Sequence, residues 1–524
     1  MTRLSITLLI APLVLVVFLA GCNQLPTPVP KTEITPDHTP SPSPRASITQ
    51  RQPSLTPNPT TQPVPRLEIQ SSDLQGVVIR FWHTWQASGK DVIQALVDEF
   101  NLSNEWKMII VPVQQGSLDE MSINVNAALQ TGETPDLVVG YLHQAQAWET
   151  TGKLVDLNPY VQDPVWGLSS EEQADFYPIF WEQDRSSLKR LGVPAQRSGQ
   201  VLFYNRTWAQ ELGYAAPPIS PDQFREQVCD AAAANLEDDR QDNDGTGGWA
   251  INTHYSAMLG WIYAFGGEII RLPPSGSGQS VYRFDSAQIE DSFTFLRSLY
   301  DNGCAWLPES QFPVGDNAAE FADRRALFIS ASVMDIPHQA QTFRQAGNND
   351  EWTVIPFPSP AGQPAINVYG PAYEIISSSP ERQLAAWVFM KWLLSPANQA
   401  RLVEATGTYP VRTSVRKYLV GYETSYPQWA VAVELLSMAH TEPPYPSWNT
   451  VRWAVSDAST QLFRSYFKID QVPLLAGLLD QTADELDLGP DLEQIFATET
   501  VSPTPGPSPT KTMTIPTIHT LTPP

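Results

Sequence analysis

Short runs of β-branched and aromatic residues alternate along the chain with stretches whose apolar positions recur three and four residues apart. Val77-Val78-Ile79-Arg80-Phe81 has the length of a buried strand, and Val92, Leu96, Val97 and Phe100 behind it lie at the helical period. Residues 108–113 predict a second strand, rich in β-branched side chains. Residues 121–129 predict a helix, and Pro135-Asp136-Leu137-Val138-Val139 a third strand. This alternation predicts βαβ units and a parallel sheet. A second series starts at Val201-Leu202-Phe203-Tyr204-Asn205. It continues through strands at 249–251, 326–329 and 352–355 and helices at 257–265 and 289–299. After the proline-rich bend 356–360, residues 372–376 and a helix over 382–394 follow, and 427–486 is largely helical.

In parallel sheets, ligands collect beyond the carboxyl ends of the strands. The candidate positions are therefore the loops expected after the first three strands. They hold Trp82, His83 and Trp85, then Gln115, then Tyr141, His143 and Gln144. A sugar presents apolar faces and a rim of hydroxyls, so its site needs flat aromatic surface beside hydrogen-bonding groups. Aromatic side chains also fill cores. What favours a ligand shelf here is the pairing of Trp82 and Trp85 with polar neighbours in one loop.

The ends of the chain change the picture more than its bulk composition does. Arg3 precedes an apolar run over 8–19 that ends at Leu19-Ala20-Gly21-Cys22. Small residues before a cysteine at this point read as a lipoprotein signal over 1–21 with Cys22 acylated. The run falls short of the ~20 residues needed to span a bilayer. Residues 22–75 are dominated by Pro, Thr and Ser and read as a disordered tether, and 491–524 as a tail of the same kind. The intervening stretch, on the order of 400 residues, exceeds one ordinary domain. A formal charge of -24 excludes nucleic acid as a partner and disfavours an anionic ligand. With Cys22 set aside, Cys229 and Cys304 remain, either as one disulfide of an exported domain or as two buried thiols.

A set of short pieces then falls in a recognisable order. They are Gly132-Glu133-Thr134-Pro135-Asp136, Gly152-Lys153-Leu154-Val155-Asp156-Leu157, Tyr204-Asn205 before Pro217-Pro218, and Gly266-Gly267-Glu268-Ile269. Glu320-Phe321-Ala322 before Ala326-Leu327 follows, then Gly407-Thr408-Tyr409-Pro410-Val411-Arg412. Together they resemble the extracellular solute-binding protein family 1, whose members include the maltose-binding protein, over roughly residues 76–490. The resemblance implies an α/β, two-lobed periplasmic-binding-protein-like fold of type II, each lobe a sheet flanked by helices and joined to the other by a hinge. Lobe 1 is expected over 76–196 with 362–410 returning to it, and lobe 2 over 197–361 with 411–490 returning to it. The ligand is expected in the cleft between them. The resemblance adds Arg197, Ser198, Ser332, Tyr369 and Gly370 as cleft residues. It also adds Trp448, which stands in register with a sugar-stacking tryptophan of the family.

Enzyme motifs do not accompany these features. The sequence holds no His-Glu-x-x-His and no Gly-x-Ser-x-Gly, and Gly89-Lys90 lacks the other residues of a phosphate-binding loop. Asp242, Asp244 and Gly245 suggest a calcium loop, but Arg240 and Ile251 occupy its two anchoring ligand positions. Glu182 and Asp184 could pose as a glycosidase pair, although acidic residues are abundant throughout. The reading is a monomeric, lipid-anchored, extracytoplasmic receptor of an ABC importer, with no cofactor, metal or catalytic residue. It captures a carbohydrate and passes it to membrane permease subunits. The alternatives are a lipid-anchored polysaccharide-degrading enzyme, or the same fold binding a non-sugar solute. Cys22→Ser is expected to stop processing at this site and prevent acylation; mature protein that still partitions into detergent with its N-terminus at residue 22 would refute the anchor.

Overall fold

The computed structural model describes residues 67–274, 277–308 and 316–488. The expected signal segment, the acylated Cys22, the tether up to residue 66 and the tail 491–524 lie outside the described residues. The first strands in chain order are β1 (Val78–His83), β2 (Ile109–Gln114) and β3 (Leu137–Gly140). A small hairpin of β4 (Arg185–Ser186) and β5 (Lys189–Arg190) follows, then β6 (Val193–Pro194) and β7 (Ser198–Asn205). Next come β8 (Gly247–Ala250), β9 (Ala305–Trp306), β10 (Ala326–Ser332) and β11 (Trp352–Ile355). The last are β12 (Ile366–Tyr369), β13 (Ala372–Ile375) and β14 (Ala439–Thr441).

Two sheets result. The first has the order β2-β1-β3-β13-β6, with β1 parallel to both β2 and β3. The second has the order β14-β12-β7-β10-β8-β9, with β11 also pairing β7. The βαβ pattern of the first sheet follows from local signals. Between β2 and β3, Ser117 and Glu120 cap the start of the helix Leu118–Thr131 reciprocally, and Gly132 at φ 85 closes its end. One boundary differs from the sequence reading. β1 continues two residues past Phe81, because Trp82 and His83 pair with Val113 and Gln114 of β2.

β7 forms the centre of the second sheet, and all eight of its residues are buried. Its alternation divides the interior: Val201 and Phe203 join the apolar cluster that also holds Phe81 and Trp387, whereas Leu202 and Tyr204 join the one that holds Trp249 and Trp261. The chain passes from the first sheet to the second between β6 and β7 and returns between β12 and β13. The expected return at residue 362 is corrected by this pairing. β12 bonds to β7 and β14 in the second sheet, so the crossing falls at Gly370-Pro371. A third segment passes the same place, where Tyr409 bridges Arg197 and its N–H donates to the Arg197 carbonyl at 2.8 Å.

Cys229, in the helix Pro221–Glu237, and Cys304, just before β9, are joined by a disulfide across a sequence separation of 75. Closing a loop of that length stabilises by up to ~4–5 kcal/mol in the chain-entropy treatment. Cys304→Ser is therefore expected to lower the unfolding free energy, measured by chemical denaturation, by an amount within that bound. Thiol labelling of the unfolded, non-reduced wild type should find neither cysteine free.

Candidate ligand-binding site

The site is built around the crossings. Arg197 is fully buried, and its Nη2 reaches both carboxylate oxygens of Asp184, at 2.5 and 2.6 Å. Its Nη1 donates to the carbonyls of Gln196 at 3.0 Å, Gly370 at 2.9 Å and Pro371. One guanidinium thereby ties both crossing segments to the first lobe. Gly370 sits at φ +146, and a Cβ there would lie 2.2 Å from the Gln196 carbonyl oxygen. Only glycine allows the two segments this approach.

Beside this junction lies a cavity of ≈ 470 Å³. Trp85, Leu118 and Tyr141 line it from the first lobe, Ser198, Met334 and Tyr369 from the second, and Gly370 and Pro371 from the crossing itself. Its polar groups form a chain. The Ser198 and Ser332 hydroxyls are 2.7 Å apart, the Tyr369 hydroxyl donates to Ser332 Oγ at 3.1 Å, and Gln200 Nε2 donates to the Tyr369 hydroxyl at 3.3 Å. Burial pushes the Tyr369 phenol up to about 12, so it stays protonated at neutral pH. Among the described residues Trp85 Nε1 has no hydrogen-bond partner, which leaves a donor beside the cavity.

The two lobes also touch outside the crossings. The helix Trp448–Leu462 carries Arg452, whose Nη2 lies 2.5 Å from Oδ1 of Asp119 in the helix Leu118–Thr131. The Arg452 guanidinium stands 5.9 Å from the Tyr141 ring centre, 5.5 Å from Tyr255 and 5.4 Å from Trp453. His143 stacks on Tyr141 at 5.3 Å, close to Asn449 of the same second-lobe helix. Burial, and after it the Arg452 charge, lowers the imidazole to about 3, so His143 is neutral.

Of the residues expected from sequence, the structure brings Trp85, Tyr141, Ser198, Ser332, Tyr369 and Gly370 together at the cleft, with His143 at the interlobe contact. The others have different roles. Trp82 and His83 belong to β1; Trp82 packs against the first core, and His83 is 3% exposed, its imidazole lowered to about 4 chiefly by burial. Gln115 accepts a hydrogen bond from Asn124 at 2.8 Å. Gln144 is spent on structure, accepting from the Tyr141 N–H and donating to the Leu118 carbonyl. Arg197 holds the crossings and does not face the cleft.

Trp448 is the largest correction. It is 0% exposed within the second core, between Tyr255 and Tyr282, and its Nε1 donates to Glu442 Oε2 at 3.1 Å. The helix start that was expected to aim it into the cleft instead turns it inward, and Arg452 one turn later reaches the other lobe. Sequence reasoning missed Leu118, Met334, Tyr255 and Arg452. Met334 has an available signal, standing two residues beyond the strand-end Ser332. Among the described residues no group of three or more His, Cys, Asp or Glu side chains is placed to hold a metal ion.

The profile of a family described as bacterial extracellular solute-binding protein matches residues 95–429, more than half of the chain. The chain belongs to this family. An uncharacterized lipoprotein of Streptomyces antibioticus is 24% identical over 391 residues, covering 71% of this chain and 80% of its own. Among solved structures, the cyclic α-maltosyl-1,6-maltose binding protein of Arthrobacter globiformis matches with a TM-score of 0.65 at 19% identity, over 79% of this chain and 100% of that one. The sugar-binding protein of Xanthomonas citri matches at 0.64 and 19% identity, over 81% and 100%. A Mycobacterium tuberculosis protein solved with glycerophosphocholine matches at 0.61 and 19%, over 80% and 99%. At these identities the likeness establishes the two-lobed fold.

For a solute-binding protein, the position of Trp448 decides which assay it affects. Trp448→Ala is expected to lower the unfolding free energy of the ligand-free protein by ~3–5 kcal/mol, as for a buried aromatic. Chemical denaturation measures this, and an unchanged midpoint would return the ring to the cleft.

Proposed function

We propose that this solute-binding protein is the extracytoplasmic receptor of an ABC importer, that it takes a carbohydrate between its lobes, and that it delivers the sugar to a membrane permease. The observation that carries the proposal is the make-up of the ≈ 470 Å³ cavity, where the aromatic surfaces of Trp85, Tyr141 and Tyr369 adjoin a chain of hydroxyls. That volume lies within the ~300–1,000 Å³ usual for small-molecule sites. Two of the structural neighbours are named as sugar-binding, which agrees with this chemistry. The glycerophosphocholine-bound neighbour supports the second reading, a non-sugar solute on the same fold. The anchor at Cys22 belongs to the same proposal, supported by the relative named as a lipoprotein.

The degradative alternative loses its candidate pair. Asp184 is held by both oxygens on Arg197 and is 1% exposed, so it is not free to attack or protonate a glycosidic bond. The proposal has the lobes close on the sugar, with Asp119–Arg452 and Arg452 over the Tyr141 ring as contacts of the closed form.

A thermal-shift panel of neutral disaccharides and oligosaccharides tests the reading. A sugar present at 100 times its Kd stabilises by ~2.7 kcal/mol. Trp85→Ala or Tyr141→Ala should weaken binding of the selected sugar by ~2 kcal/mol, about thirtyfold, and chromatography should recover the sugar unaltered. A panel in which polyols or phosphodiesters shift the protein and no sugar does would select the second reading.

A further inference from the structure

The hydroxyl chain does not end at Ser332. Behind it, within the second lobe, lies a separate recess of ≈ 270 Å³ that shares Ser332 and Gln200 with that chain and is lined also by Asp316, Asn317, Asp335 and His338. Two of these side chains are nearly fully buried with a polar atom left unsatisfied. Among the described residues, Asn317, 2% exposed, has no partner for Nδ2, and Gln200, 7% exposed, has none for Oε1. A buried amide lacking a partner is costly unless a ligand or water supplies one. The charges of the recess are one-sided. Asp335 and Asp316 both line it, and no lysine or arginine does. His338 Nε2 lies 3.7 Å from Asp316 Oδ1, with both side chains about half exposed at 57% and 44%. Asp335 accepts the Ser332 N–H at 3.0 Å, which leaves its other oxygen without a protein donor among the described residues.

We propose that this recess is an ammonium subsite that receives the protonated amine of the captured solute, so that the preferred ligand is a basic sugar and not a neutral or acidic one. The inference rests on the carbohydrate reading of the adjoining cavity. An ammonium has three donors and no acceptor, and Asp335 and Gln200 Oε1 offer it acceptors. Asn317 Nδ2 is left to donate to a neighbouring hydroxyl, the arrangement a vicinal amino alcohol presents. Asp335 is an exposed carboxylate, and of the two imidazoles lining the recess His254 is neutral and His338 lies against Asp316, which leaves Asp335 short of a counter-charge. An incoming cation supplies that charge, whereas a sulfate, phosphate or uronate would meet two carboxylates.

The test uses three disaccharides of one linkage that differ at C2: the glucosamine dimer, its N-acetylated form and cellobiose. Each is titrated calorimetrically into the full-length protein near neutral pH. The amine form should bind most tightly, by roughly tenfold or more over cellobiose, the factor one charge-assisted hydrogen bond supplies. Asp335→Asn keeps an oxygen to accept the Ser332 N–H and should remove that preference while leaving cellobiose affinity nearly unchanged. Equal affinity for amine and hydroxyl forms, or a preference that survives Asp335→Asn, overturns the inference and leaves the sugar reading standing. If none of the three binds, spermidine decides the subsite alone. Asp335-dependent binding of spermidine upholds the subsite, and its absence overturns it.

Discussion

A buried arginine holds this fold at the one place where it has to bend. Arg197 has no water to solvate it, and an isolated charge in that position would be prohibitively costly. Bidentate pairing with Asp184 and three main-chain carbonyls offset the cost. Every one of those partners lies in the first lobe or on a crossing segment. The charge can therefore be satisfied only when β6–β7 and β12–β13 meet at a single point, and the Tyr409 N–H bonds the main chain of the same residue. Removing Asp184 would not simply delete a contact; it would leave a bare cation at the junction of the lobes.

The cleft inherits its chemistry from that junction. Gly370 and Ser198, next to the arginine's partners, open directly onto the cavity, so the polar edge of the site is as rigid as the crossing. The opposite edge is aromatic and belongs to whichever lobe carries each ring. The histidines of the interlobe surface are kept uncharged. His143 falls to about 3 and His254 to about 4, each first by burial and then by the Arg452 charge. Arg452 thus supplies a permanent positive charge where the lobes meet, opposite the negative overall charge of the chain.

Much of this was legible in the order of residues. Alternating strand and helix periods located β1, β2 and β3, and the rule that ligands gather beyond strand ends pointed to Trp85 and Tyr141. Errors arose where one or two residues decide orientation. Side chains alternate faces along a strand, so extending β1 by two residues carried Trp82 and His83 from a loop into a sheet. Trp448 sits at a helix start, where one turn separates a core face from a cleft face, and composition does not distinguish them. Arg197 was assigned to a ligand because the family resemblance implies a cleft residue at that position. What it binds is carbonyl groups more than 170 positions away, at Gly370 and Pro371, which no local pattern encodes.

The disulfide sits away from the crossings between the lobes. It joins the helix Pro221–Glu237 to the residue before β9, both on the far side of the second sheet, and no crossing segment lies within its span. The cross-link therefore governs the endurance of one lobe and leaves the angle between lobes alone. Outside the cell, thiol chemistry varies with the surroundings. A receptor built this way can lose its covalent brace and become shorter-lived while still opening and shutting through the same arc.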